Sequence, residues 1–394
     1  MKKFLVWGLG IYLLLSLTLV APAQNYGNQP KEGTGFDASF YQPPADKSPL
    51  PLSKQTKVKN IIFMIGDGMS FAHVDSARIK AMGADGRLYM ERMPVTGLVK
   101  THSANALVTD SAAGGTALAT GFKTKNGTIG LAADGSKVES TLELAQKKGK
   151  STGLVATSTI SHATPASFSA HTKSRNSEEE IAVQLANSDI NVLFGGGKHF
   201  FIPKSAEKSK RKDEINPLEI AIANGYKFVE TKKDFIEVQG NKILGLFQMS
   251  SLKTTGDEPT LSELTTKTIE LLKGNKDGFF MMVEGSQIDW GAHENNPDYM
   301  IRQTLLFDMA IKAALDFAAK DGETLVIVTA DHETGGLAIK SGNLDGSGLE
   351  LVWGSKGHSA LQVPVYAFGP RAEMFMGVQD NTDVANKVKT ILNE

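Results

Sequence analysis

Past residue 58 the chain alternates two kinds of apolar pattern. Continuous β-favouring runs recur at 59–65, 152–157, 191–194, 279–283, 324–329 and 363–368, the composition of strands covered on both faces rather than on one. Between them, 139–148, 177–186, 261–273, 298–319 and 382–392 carry apolar positions at helical spacing. Strands alternating with helices predict a three-layer α/β/α sandwich around a large, mostly parallel central sheet, with ligands gathered outside the carboxyl ends of its strands. No repeat interrupts this pattern, so 58–394 reads as one folded unit.

The first part of the chain reads differently. Lys2 and Lys3 precede an apolar run over 4–20, and Ala21-Pro22-Ala23 supplies the small residues of a cleavage site, so 1–23 is expected to be a signal peptide cut after Ala23. A retained anchor is the alternative. Glycine and serine interrupt the run, however, and it is marginal against the roughly 20 residues that span a bilayer. Residues 24–57 are rich in Gly, Pro, Gln and Lys without an apolar period and are expected to form a mobile arm. The expected product is periplasmic or secreted and free of the membrane.

Composition narrows the partners. Of the 394 residues 41% are hydrophobic, enough for a substantial core. Lys plus Arg number 42 against 43 for Asp plus Glu, so no global field draws nucleic acid or an anionic membrane. Cysteine is absent, which excludes disulfides and thiolate metal ligands. The basic stretch 204–212 has no aromatic residues interleaved for base stacking and reads as a solvated face. Gly195-Gly196-Gly197-Lys198 follows a strand but lacks the spacing of a phosphate loop, and a tight turn is expected there.

Potential ligands cluster just after the apolar runs: Asp67, then Glu284 with Asp289 and His293, then Asp331-His332, and finally His358 with Ser359. Singly, each has an ordinary explanation as a turn, a cap or a structural histidine. Their joint placement at strand ends favours two or three metal sites of nitrogen and oxygen donors, suited to zinc, or to magnesium where all donors are oxygen. A second feature is Thr109-Asp110-Ser111-Ala112-Ala113, where a serine precedes small helix-compatible residues. An exposed serine at a helix N-terminus, with unpaired amides to hold a phosphate oxygen, is one reading. A simple N-cap fits the spacing equally well.

These segments resemble the alkaline phosphatase family. The resemblance runs from about residue 60 to 370 through Gly66-Asp67-Gly68, the stretch 108–121, Ala163-Thr164-Pro165-Ala166 with Ser174-Arg175, Glu284 through Asp289 to His293, Thr329-Ala330-Asp331-His332, and Gly357-His358. It implies a phosphate monoesterase with two zinc ions and a third ion, magnesium being expected. Asp289, His293 and His358 would hold the first zinc, and Asp67, Asp331 and His332 the second, beside Ser111. Asp67 would bridge to a third site completed by Thr164 and Glu284. Ser111 would attack phosphorus to give a phosphoserine, and Arg175 would grip two phosphate oxygens with its planar fork.

His162 and Trp290 match positions that vary in the family and shape the third-metal shell. Trp290 brings no positive charge to bound phosphate, which implies weaker product binding than in relatives with lysine there. The segment between His332 and His358 is short where many relatives carry a larger insertion, so few accessory contacts and a broad range of small phosphate monoesters are expected. A homodimer is implied by the resemblance alone. A sulfatase of the same superfamily would usually need a cysteine or serine maturation motif, and a diesterase would need room for a second substituent. A metal or phosphate binder without turnover is the reading from another class. His73, His102, His171 and His199 receive no role.

Overall fold

The structure, a computed structural model, describes residues 36–394; the expected signal peptide and the first part of the expected arm lie outside them. Along the chain run strands β1 (Asn60–Gly66), β2 (Val95–Lys100), β3 (Ser151–Thr159), β4 (Val192–Gly196) and β5 (Lys227–Val229). Next come β6 (Ile243–Leu246), β7 (Phe279–Gly285) and β8 (Thr324–Thr329). Four short strands follow: β9 (Glu333–Thr334), β10 (Leu337–Ser341), β11 (Glu350–Trp353) and β12 (His358–Ser359). The last two are β13 (Val363–Phe368) and β14 (Gly377–Asp380).

Ten of these strands form the main sheet in the order β14-β2-β13-β8-β1-β7-β3-β4-β6-β5. Only β13 runs antiparallel to its neighbours among the described residues, so the sheet is mostly parallel as the alternation predicts. The central strands β1, β7 and β8 are buried along their whole length, which explains their uninterrupted apolar runs. Strands β2, β5, β6 and β14 were not evident in the pattern. Strand β2 alternates buried with more exposed positions, and β5, β6 and β14 have only three or four residues each.

The helices are α1 (Phe71–Met82), α2 (Ser111–Thr120), α3 (Thr141–Lys147), α4 (Ala163–Ser167), α5 (Glu178–Ala186) and α6 (Pro217–Ala223). They continue with α7 (Lys232–Glu237), α8 (Leu261–Leu272), α9 (Gln287–His293), α10 (Pro297–Asp321) and α11 (Asn381–Asn393). Successive side chains on a strand point to opposite faces, and β7 uses both. Phe279 packs on Phe317 of α10 at 5.8 Å between ring centres, while Phe280 packs on Phe168, just past α4, at 6.2 Å. Helices α1, α8 and α9 pack with α10, while α2 and α3 pack with α11 and α4 with α2, giving the two outer layers.

One expectation needs correction. From Phe36 on, the supposed arm lies against the folded body: Tyr41 is buried and donates its hydroxyl to Asp308 Oδ2 at 2.7 Å, and Arg302 stacks over Phe40. The anchors Phe40 and Tyr41 are too few to make a period, yet they supply the apolar area that holds the segment down. Gly195 and Gly196 are still part of β4, so the expected tight turn begins only at Gly197, at φ 95°.

Candidate active site

The site forms at the carboxyl ends of four adjacent strands, β8, β1, β7 and β3. Asp67 follows β1; Glu284 closes β7, whose chain continues into α9 with Asp289 and His293. Asp331 and His332 follow β8, and His162 and Thr164 begin α4 after β3. His358 arrives from β12, which pairs with β9 directly after His332. Strand order thus gathers residues that are up to 291 positions apart (67 to 358).

Three groups of donors result: Asp289 with His293 and His358, Asp67 with Asp331 and His332, and Asp67 with Glu284 and His162, each with its ligand atoms within 4.8 Å of one another. His162 therefore sits in the third group itself. Thr164 Oγ1 is buried and makes no hydrogen bond among the described residues, as are both oxygens of Asp67, Glu284 Oε1 and Asp331 Oδ2. Buried carboxylates without donors are costly unless a cation compensates them.

The hydrogen bonds fix the histidines for this purpose. His293 Nδ1 lies 2.5 Å from the Lys356 carbonyl and His358 Nδ1 lies 2.8 Å from the Thr109 carbonyl. A carbonyl only accepts, so both Nδ1 atoms carry hydrogen, and each ring in its neutral form presents its Nε2 lone pair. Those two Nε2 atoms face each other at 3.1 Å, with Asp289 Oδ1 at 3.2 and 3.5 Å. Lone pairs converging this closely fit a shared cation. Thr334 Oγ1 donates to the same Asp289 oxygen and lies 3.3 Å from His332 Nδ1, linking the first group to the second.

Charge in the cluster is far from its aqueous balance. Burial, reinforced by neighbouring carboxylates, raises Asp67 well above the usual range and Asp331 to about 8, and burial raises Glu284. Burial would also raise Asp289, but the His293, His358 and His332 rings outweigh it and hold that carboxyl well below the usual range. Burial, with Arg175 second, pushes His162 down to about 3. The residues present therefore fit divalent cations, which would replace the protons that this crowding otherwise demands.

Ser111 is the first residue of α2, with Asp110 as N-cap accepting from Ala113 N–H at 3.0 Å. The sequence reading of an exposed serine holds for its place at the helix start but not for its accessibility: Ser111 is 2% exposed. Its Oγ lies 3.1 Å from His332 Nε2, so it belongs to the second group. Gly114 allows this approach, since a Cβ there would meet the Asp331 carbonyl at 2.8 Å. Arg175 Nη1 donates to Asp110 Oδ2 at 3.2 Å, and its Nη2 lies 3.3 Å from His162 Nε2. The guanidinium is thereby held between the serine turn and the third group. The Trp290 ring stands edge-on to His162, 6.3 Å between centres.

A serine at a helix start, an arginine beside it and three donor groups, two of which share Asp67, make up the site, and the alkaline phosphatase family profile matches residues 58–350 and 347–394. The chain belongs to the alkaline phosphatase family. "Alkaline phosphatase 4" of Bacillus subtilis is 35% identical over 88% of this chain and 91% of its own. The structure of the alkaline phosphatase from the Antarctic bacterium TAB5 superposes with a TM-score of 0.78 at 38% identity, covering 86% of this chain and 99% of that one. A histidine-to-aspartate variant of the same enzyme, described with magnesium bound in its M3 site, superposes with the same score at 39% identity and the same coverage.

As an alkaline phosphatase the chain is a phosphoric monoester hydrolase, and its family uses metal ions. Two participants in this alkaline phosphatase site escaped the sequence reading. Asp110 serves as both helix cap and Arg175 partner, and Thr334 bridges the first two groups. The signal for both was adjacency: each lies within two residues of a recognised site residue.

Proposed function

We propose that the chain hydrolyses phosphate monoesters through a phosphoserine on Ser111, with broad tolerance of the alcohol and an alkaline optimum. The observation that carries this reading is the position of the Ser111 hydroxyl, 3.1 Å from His332 Nε2 within the second donor group. In the first step the Ser111 oxygen bonds to phosphorus, the bond from phosphorus to the alcohol oxygen breaks, and the proton lost by Ser111 is balanced by the one the alcohol takes up. In the second step a water oxygen bonds to phosphorus, the Ser111 ester breaks, and inorganic phosphate leaves as the serine regains its proton. Arg175, held by Asp110, binds two phosphate oxygens and orients phosphorus toward Ser111.

Asp289, His293 and His358 are assigned to one zinc, and Asp67, Asp331 and His332, with Ser111, to the other. Asp67, Thr164 and Glu284 are assigned to magnesium, with His162 beside them. When bound, such ions supply positive charge at the attacking and leaving oxygens of an in-line displacement. The oxygen donors of Asp67, Thr164 and Glu284, buried without hydrogen bonds among the described residues, support the third assignment. The short connection from His332 to His358, built only of β9–β12 and the small β10–β11 pair, supports a broad substrate range.

The mature chain is proposed to begin after Ala23, to act in the periplasm or outside the cell, and to form a homodimer. Among the described residues no helix is long and apolar enough to cross a membrane. N-terminal sequencing and light scattering of the exported protein test these points.

The deciding experiment compares hydrolysis of p-nitrophenyl phosphate by the wild type, by Ser111→Ala, and by EDTA-treated enzyme before and after zinc and magnesium are returned. Activity that is restored by the ions and collapses in Ser111→Ala supports the proposal. Turnover of bis(p-nitrophenyl) phosphate at a higher rate than the monoester would overturn it.

A further inference from the structure

Two neighbouring residues, Glu333 and Ser359, take no part in the donor groups yet make a partly buried contact directly behind them. Strand β9 pairs with β12 so that His358 lies opposite Thr334 and Ser359 opposite Glu333. Directly opposed residues share a face, and side chains alternate faces along each strand. Thr334 and His358 therefore look toward the ion groups, whereas Glu333 and Ser359 look away. The Glu333 carboxylate is fully buried. Its Oε2 accepts the Ser359 hydroxyl, and its Oε1 accepts Leu337 N–H at 3.1 Å.

One carboxylate thus ties β12 to β9 and closes the sharp turn after β9, where Gly335 and Gly336 sit at φ 93° and 58°. The two ends of the Glu333–Ser359 contact fall one residue from His332 and one residue from His358. Those histidines belong to different donor groups and stack at 3.6 Å between ring centres, 19° from parallel. The spacing of the two groups is therefore set by how β9 and β12 are held together. A two-residue strand pair is too short to hold that register by its backbone alone.

We infer that Glu333 and Ser359 are positioning residues: their contact behind the site fixes His332 and His358 relative to each other, and so the separation of the two ions between which phosphoryl transfer takes place. The inference rests on the reading that both groups hold ions.

The test uses the full exported chain with cobalt(II) in place of zinc. Ser359→Ala removes the hydroxyl, and Ser359→Thr restores it. Ser359→Ala is expected to change the cobalt visible absorption, to lose cobalt faster to a chelator, and to lower kcat by about ten-fold with KM within about two-fold, the scale typical for partners of metal ligands. Ser359→Thr is expected to recover all three. Should Ser359→Ala not fold, Glu333→Asp, which keeps the charge but shortens its reach, is expected to give the same spectral change. A folded Ser359→Ala, or in its absence a Glu333→Asp, with wild-type spectrum and kcat overturns the inference. So does a Ser359→Thr that regains thermal stability but neither spectrum nor kcat. Wild type that binds no cobalt sinks the underlying metal reading instead.

Discussion

Trp290 is buried edge-on to His162, and Arg175 reaches the other side of the same imidazole. On the proposed reading the site would meet phosphate with one guanidinium, which is paired with Asp110. Replacing Trp290 with lysine adds a second cation to this neighbourhood. A charge-assisted hydrogen bond contributes about 1.5–3 kcal/mol, so Trp290→Lys is expected to tighten inhibition by inorganic phosphate about ten-fold or more. Inhibition unchanged from wild type would show that position 290 does not reach the phosphate. Thr334 acts through hydrogen bonds instead. Its hydroxyl donates to Asp289 while facing His332 Nδ1, so Thr334→Val keeps the shape and removes both links. A fall in kcat of about ten-fold and faster zinc loss to a chelator are expected, with KM nearly unchanged. The nine positions proposed as ligands and nucleophile could be picked out in the sequence because each follows a recognisable run or carries a family motif. Thr334 and Glu333 could not, and Ser359, read with His358 as a potential ligand, turns to Glu333 instead, since a residue beside a motif looks like any loop residue until the pairing of β9 with β12 shows which way it faces.

At the scale of elements, the long buried strands announced themselves and the short or half-exposed ones did not. Strand β1 reads as seven buried residues in a row, whereas β5 has three residues with one of them exposed, too few for any period to register. The segment before β1 gave the wrong impression for a related reason. Its attachment depends on a few residues, chiefly Tyr41, whose partner Asp308 is 267 positions away on α10. Asp308 also accepts the amides of Tyr89 and Met90, each at 2.9 Å, so one buried carboxylate gathers the entering segment, the turn before β2 and α10. Burial lifts Asp308 to about 6 despite these bonds. Tyr41→Phe removes one donor and leaves the carboxylate buried. A loss of about 1–3 kcal/mol is expected in urea unfolding above pH ~7, where Asp308 is ionised. The loss should shrink as pH falls below about 6 and the carboxyl takes up its proton, since a neutral acid needs the donor less. A loss independent of pH would point to packing of the ring rather than to the hydroxyl.

For the whole molecule, the sheet brings four carboxylates, Asp67, Glu284, Asp289 and Asp331, into one fully buried cluster. Three of them are raised by burial, Asp331 to about 8. In metal-free protein the folded state therefore keeps protons that the unfolded chain releases near its ordinary carboxylate values of about 4. Between about 4 and the folded value the folded state binds more protons than the unfolded one, so metal-free stability falls as pH rises through that window. Ion binding has the opposite dependence, because the same carboxylates must be deprotonated to serve as ligands. The difference in melting temperature between zinc-and-magnesium-loaded and EDTA-treated protein should consequently widen from about pH 6 to about pH 9. Thermal unfolding followed by circular dichroism at several pH values measures it. A difference that stays constant or narrows would mean that these carboxylates are not where the ions act. A widening difference would tie the fold's own charge balance to metal binding, since a sheet that buries this many acids at one edge is stable at alkaline pH only with cations among them.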